Sequence, residues 1–263
     1  MKHLIVGCGV VGEATGTFLE TNKEDVWYCD KKQSLIKTNS KQKWVLSLHP
    51  KSISSFEILW ICTPETAIED VLKQLSLNFR AQKFIIVRST TIPGTLTKLE
   101  KKYKVRYLVH NPEFLKESTA INDTFNPDRI VIGSSCSFAS GCVLNIYKTI
   151  KCKKFEVSLT ESELIKQISN AWLATQISFW NEIKELCDKL KVNPQEVANA
   201  VTRDKRISEY GSIMLGKAFG GHCLPKDLEH LIECFKEQNL NSYVLHMVRN
   251  YNDMLRYKNE INR

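Results

Sequence analysis

Over its first ~158 residues the chain alternates short, almost wholly apolar runs rich in β-branched side chains with stretches whose apolar positions recur every three or four residues. Strands are predicted at 2–6, 26–29, 58–62, 84–88, 107–110, 130–132 and 155–157, and helices at 11–21, 65–75 and 138–149. Runs that are apolar on both faces belong in a sheet covered on both sides, and their alternation with helices predicts parallel strands joined by crossovers. After Ser158 the period becomes helical. Thr160 followed by Glu163 reads as a capping box, and Leu164, Ile168, Trp172, Phe179, Ile183, Leu186 and Leu190 continue at helical spacing. Asn193-Pro194 closes that helix and opens another, Pro225 is placed to begin a further one, and 243–257 reads as the last. The pattern predicts an α/β domain over 1–158 followed by an all-helical domain over 159–263.

The first predicted strand runs directly into Val6-Gly7-Cys8-Gly9-Val10-Val11-Gly12, a GxGxxG turn that opens the first helix. In that setting Gly7 permits the tight turn, Gly9 lets a pyrophosphate approach the backbone, and Gly12 lets helix and strand pack closely. The amides around Val10 and Val11 at the helix start then face the anion. The first domain is thus expected to be a Rossmann-type fold that binds a dinucleotide. Asp30 ends the second strand, near the spacing of an acid that hydrogen-bonds ribose hydroxyls, and its charge would repel a 2′-phosphate. NAD is favoured over NADP, although Lys31 and Lys32 soften the contrast. Thr63 and Thr90 follow the third and fourth strands and complete the expected cofactor cleft.

Composition narrows the classes. With 263 residues, 43% hydrophobic and 25% charged, the chain can bury two real cores, which excludes disorder as its main state. No run approaches the ~20 apolar residues of a membrane span, and the apolar run at 4–11 is broken by Gly7 and Gly9 and lacks a cleavage-type site. Nine cysteines with no CxxC pair read as reduced thiols, so a cytoplasmic protein is expected. The histidines show no paired-ligand spacing, so no metal is expected. The net charge of +8 comes from scattered lysines and reads as a solvated surface; without a recognisable module, a nucleic-acid partner is not expected.

Gly220-Gly221-His222-Cys223-Leu224-Pro225-Lys226-Asp227 puts a cysteine at a helix start, where the dipole favours thiolate. This segment resembles the GGxCxPKD signature of the nucleotide-sugar (UDP-glucose/GDP-mannose type) 6-dehydrogenases. Further segments match that family in the same order. Arg88-Ser89-Thr90 with Pro93-Gly94-Thr95 resembles its (K/R)ST…PGT turn, and Asn111-Pro112-Glu113-Phe114-Leu115-Lys116-Glu117 its NPEFLxE. Glu163 through Lys166, Asn170 and Asn181-Glu182 resemble its long helix, with weaker matches at Asn126 to Arg129 and at Asp204 to Ile207.

The resemblance implies oxidation of a sugar C6 alcohol to a carboxylate with two NAD per turnover, UDP-glucose being the leading substrate. It implies a first domain that binds NAD and a helical second domain for dimerisation and catalysis. Lys166 and Asn170 lie four apart on one helix face and would orient the alcohol and steady an alkoxide. Asp227, with a water and Thr90, would take the first proton. Cys223 would form a thiohemiacetal and then a thioester. Glu113 would activate the hydrolytic water, with Glu117, Phe114, Leu115, Gly220 and, across a subunit boundary, Arg206 as substrate contacts.

Family members usually continue into a third, nucleotide-gripping domain, whereas this sequence stops at Arg263. A separate chain supplying that domain is therefore one expected partner, and a homodimer built on the 160–190 helix is another. Two other readings stand beside the leading one. A single-step β-hydroxyacid-type dehydrogenase would share the Lys-x-x-x-Asn face without needing Cys223. A non-catalytic NAD-binding subunit would keep the architecture and rely on a partner.

Overall fold

The computed structural model describes residues 1–32, 42–76 and 83–261. The chain divides into two compact units, Met1–Lys166 and Gln167–Arg263.

In the first unit the described strands are β1 (Lys2–Val6), β2 (Asp25–Cys29), β3 (Lys43–Trp44), β4 (Ile58–Ile61), β5 (Phe84–Val87), β6 (Leu108–His110), β7 (Arg129–Ser134) and β8 (Lys153–Val157). They form one sheet in the order β3-β2-β1-β4-β5-β6-β7-β8. The helices are α1 (Val10–Thr21), α2 (Pro50–Ile53), α3 (Ile68–Ser76), α4 (Thr95–Tyr103), α5 (Ala120–Phe125) and α6 (Ser137–Ile146). Alternate residues of each central strand feed two cores. Leu4, Val6, Leu59, Ile61, Ile85 and Val87 pack with Leu72, Leu75, Leu96 and Leu99. Ile5, Tyr28, Trp60 and Ile86 pack with Phe18, Leu19 and Val143. Each such side chain contributes roughly 1.5–3 kcal/mol on burial, which is why these strands are apolar throughout.

Three features depart from the pattern-based reading. The β6–β7 pair is antiparallel, the other strand pairs being parallel. Between them only the six-residue α5 and a short 3₁₀ turn intervene. That connection makes no crossover, so β7 enters from the sheet end at which β6 leaves. Strand β8 is largely exposed and carries Lys153 and Lys154, charges that protect an edge from further pairing. Strand β3, two residues long, is too short to show a period.

Helix α7 (Leu159–Leu190) supplies residues to both units; α8 (Pro194–Val201), α9 (Cys223–Glu237) and α10 (Tyr243–Ile261) belong to the second. Asn193 caps α8 as expected, its Oδ1 accepting from Gln195 N at 2.9 Å. The start of α7 differs. The capping box is Ser158 with Glu161, not Thr160 with Glu163: Glu161 accepts from Ser158 N at 2.7 Å and Ser158 Oγ accepts from Glu161 N at 3.2 Å. Glu163 is instead fully buried and accepts from Thr91 Oγ1, Gly94 N and Leu96 N at 2.7, 2.7 and 2.9 Å. It thereby caps α4, whose own N-cap residue Gly94 offers no side chain.

His110, at the end of β6, is also fully buried, with Nδ1 2.7 Å from Ser162 Oγ. Burial pushes its pKa down to about 3. A group whose folded pKa lies below its unfolded value contributes stability above the unfolded value that is lost as the pH falls toward the folded one. Unfolding free energy is therefore expected to fall by about 2 kcal/mol through His110 between about pH 7 and 5. Urea titrations across that range should show the slope, and His110→Gln, which cannot titrate, should flatten it.

Candidate active site

The turn after β1 has the shape the glycines require. Gly7 has φ +93°, and a Cβ there would fall 2.8 Å from the Cys62 carbonyl carbon. A Cβ on Gly12 would fall 1.9 Å from Gly7 O, so this helix–turn contact admits only glycine. At Gly9 a Cβ would meet nothing within 4 Å, and no side chain caps the start of α1. The amides around Val10 and Val11 thus begin a helix at a glycine with open space beside it, the arrangement a pyrophosphate needs. Asp30 is tied to this turn, its Oδ2 accepting from Cys8 N at 2.7 Å and its Oδ1 from Lys32 N at 2.8 Å. Ser89 Oγ donates to Thr63 O at 2.6 Å, joining the loops after β4 and β5 that carry Thr63 and Thr90. Thr63 Oγ1 is buried with no hydrogen-bond partner among the described residues. These features fit a dinucleotide.

A second cluster in the first unit follows β6. Lys166 is buried and pairs with Glu113 Oε1 at 3.0 Å, while Glu113 Oε2 accepts from Leu115 N at 2.8 Å. The Phe114 ring lies 3.9 Å from the Arg129 guanidinium carbon and 5.4 Å from Lys166 Nζ. Glu117 is exposed at the start of the following 3₁₀ turn. An ion pair this buried holds the loop in one conformation, because separating the charges would leave one unpaired in a poorly solvated place.

The third cluster lies in the second unit. Helix α9 begins at Cys223, two residues before the predicted Pro225, because proline is tolerated within the first turn, where its missing N–H is no loss. Cys223 is exposed at that first position. One turn on, Asp227 is 1% exposed; its Oδ1 takes Lys226 Nζ at 2.6 Å and its Oδ2 takes Asn170 Nδ2 at 2.5 Å. The segment leading to Gly220 is pinned by two buried asparagines. Asn181 bonds Gly216 N at 2.5 Å and Lys217 O at 2.9 Å. Asn252 bonds both Phe219 N, at 2.8 Å, and Phe219 O, at 3.1 Å. Arg206 is exposed and paired with Asp204 at 2.5 Å.

Residues 50–151 match the NAD binding domain of the UDP-glucose/GDP-mannose dehydrogenase family and residues 160–254 its central domain. The chain belongs to the UDP-glucose/GDP-mannose dehydrogenase family. It is 30% identical over 273 residues to the UDP-glucose 6-dehydrogenase TuaD of Bacillus subtilis, covering 89% of this chain and 59% of that one. A UDP-glucose dehydrogenase from Pyrobaculum islandicum superposes with a TM-score of 0.86 at 26% identity, over 97% of this chain and 68% of that one. Mycobacterium tuberculosis 3-hydroxyisobutyrate dehydrogenase has the same fold, with a TM-score of 0.82 over 96% of this chain and 93% of that one at 12% identity. The chain spans about half the length of the curated relatives it matches, 46%, 59% and 43% for three of them.

NAD, the cofactor expected from the sequence, is the one the matched domain is named for. Within each unit the family's motif residues come together: Glu113 with Lys166, and Asn170 with Asp227. Three contributors carry no role in the sequence reading. Lys226 and Asn181 stand inside quoted motifs, which was the available signal, but an asparagine on a helix does not announce which backbone it will bond, at Asn181 or at Asn252.

Replacing Asn252 by alanine would leave the buried Phe219 N–H and C=O unpaired. A loss of about 2–4 kcal/mol in unfolding free energy is expected. Chemical denaturation measures it, and Asn252→Asp should recover only the accepting half.

Proposed function

We propose that the chain carries an NAD-dependent oxidation of a nucleotide-sugar C6 alcohol to the uronic acid, with UDP-glucose as the leading substrate. The observation that carries this reading is Cys223, exposed at the first position of α9, with the buried Asn170–Asp227–Lys226 cluster in the same unit. Bound NAD supplies the hydride acceptor for both oxidations. Asp227, with a water and Thr90, takes the hydroxyl proton as the alcohol becomes an aldehyde, while Lys166 and Asn170 orient the oxygen. The Cys223 sulfur then adds to the aldehyde carbon to give a thiohemiacetal, whose oxidation leaves a thioester. Water activated by Glu113 adds to that carbon, the C–S bond breaks and the thiol is restored. One alcohol and one water thus become one carboxylate, with two NAD reduced and three protons released. Phe114, Leu115, Glu117, Gly220 and Arg206 serve as substrate contacts. In this reading residues 1–158 bind the cofactor, and 159–263 supply dimerisation and catalysis.

The likeness to a hydroxyacid dehydrogenase over nearly all of that chain supports a second reading, a single oxidation step that does not use Cys223. Substitution of Cys223 by serine separates them. The two-step reading expects wild type to form two NADH per sugar and Cys223→Ser to lose at least 100-fold in carboxylate formation; unchanged turnover in the variant, or one NADH per sugar in wild type, supports the single step. No turnover of any UDP-hexose at millimolar concentration, with or without a co-purifying nucleotide-binding chain, would leave a non-catalytic NAD-binding subunit.

A homodimer is part of the proposal. Along α7, Ile168, Trp172, Phe179, Leu186 and Leu190 are exposed at intervals that place them on one side of the helix, an apolar stripe that water solvates poorly. Sedimentation at micromolar concentration should give a dimer that Trp172→Glu converts to monomer; a wild-type monomer refutes it. Nine cysteines without a disulfide fit a reducing cytoplasm, and no helix among the described residues is long and apolar enough to cross a membrane.

A further inference from the structure

In the second unit the chain reaches Cys223 between two fixed points. Ahead of it, Phe219 is 2% exposed, and one side chain on α10 takes both polar groups of its backbone: Asn252 Oδ1 accepts from Phe219 N at 2.8 Å and Asn252 Nδ2 donates to Phe219 O at 3.1 Å. Asn252 is itself 3% exposed. Beyond Cys223, α9 is held by the buried Leu228, Leu231 and Ile232 and by the bond from Asn170 Nδ2 to Asp227 Oδ2. Between the two points lie Gly220, Gly221 and His222, all exposed. Gly221 has φ +72°, and a Cβ on either glycine would meet nothing within 4 Å, so packing does not shape this turn.

An amide that accepts from the N–H and donates to the C=O of one residue fixes that residue's orientation as well as its place, as a neighbouring strand does. Released from Asn252, the buried N–H and C=O of Phe219 would have to find water, and the path of the chain into the turn would change. The glycines cannot restore that path, because they accept many backbone conformations. Asp227 does not depend on it: the buried face of α9 and Asn170 hold that carboxylate one turn beyond the thiol. The clamp on Phe219 therefore bears on the sulfur and spares the carboxylate.

We propose that Asn252 positions Cys223, by setting where the chain enters the Gly220–Cys223 turn. The consequence for the reaction rests on the two-step reading above. In that reading the first oxidation uses Asp227 and Asn170, whereas the second needs the sulfur on the aldehyde carbon. Loss of the clamp is then a loss of the second step, and aldehyde escapes.

Wild type, Asn252→Ala and Asn252→Asp, each kept at a temperature where circular dichroism shows it folded, are supplied with UDP-glucose and NAD. After an acid quench, aldehyde is derivatised with methoxyamine and counted against carboxylate by mass spectrometry. Asn252→Ala should raise the aldehyde-to-carboxylate ratio about tenfold or more. Asn252→Asp, which keeps the acceptor for Phe219 N, should fall between it and wild type. A merely destabilised fold lowers both products together, so an unchanged ratio overturns the proposal. Should Asn252→Ala not fold, Asn252→Asp carries the same comparison. A wild type that forms no carboxylate refutes the two-step reading instead, and crystal structures of wild type and Asn252→Asp then judge the clamp by itself. A Cys223 sulfur displaced by about 1 Å or more, with Asp227 in place, sustains it, and an unmoved sulfur overturns it.

Discussion

The first amides of a helix have no partner within it, and this chain disposes of them in ways that position its chemistry. At α7 and α8 the answer is local: Ser158 with Glu161, and Asn193. At α4 it is remote, since Glu163 reaches from another helix to the amides of Gly94 and Leu96, and thereby ties the first turn of α7 to the loop that follows β5. At α1 a glycine stands where a capping side chain would be, with space beside it. The same physical deficit is thus a structural bond in one place and an anion seat in another, and the residue type at the cap decides which.

Buried charge is the second organising constraint. Lys166 with Glu113, and Lys226 with Asp227 and Asn170, are pairs in which each partner makes the burial of the other tolerable. Such pairs contribute little net stability compared with an apolar replacement, yet they fix side chains in one orientation. Orientation is what the proposed chemistry asks of each of these groups. Neutral pairs do similar work on the backbone: Asn181 and Asn252 hold the segment from Gly216 to Phe219 that leads into the Gly220–Cys223 turn. A misplacement of that segment would move the Cys223 thiol without altering Cys223 itself.

Much of this was legible in the residues themselves. Strand positions followed from uninterrupted apolar runs, because a strand covered on both faces leaves no polar position to confuse the period. The glycine turn followed from its place between a strand and a helix, and the family from the motifs that run through the chain in order. What the linear pattern could not carry was the choice among partners of equal chemistry. Glu163 was as good a local cap as Glu161, and only the packing of the first turns of α7 within the first unit sent one inward and left the other at the surface. The direction of β7 depended on where the preceding segment emerged. Local propensity and period are written in adjacent residues; pairing of polar groups is decided by distances that exist only once the chain has folded.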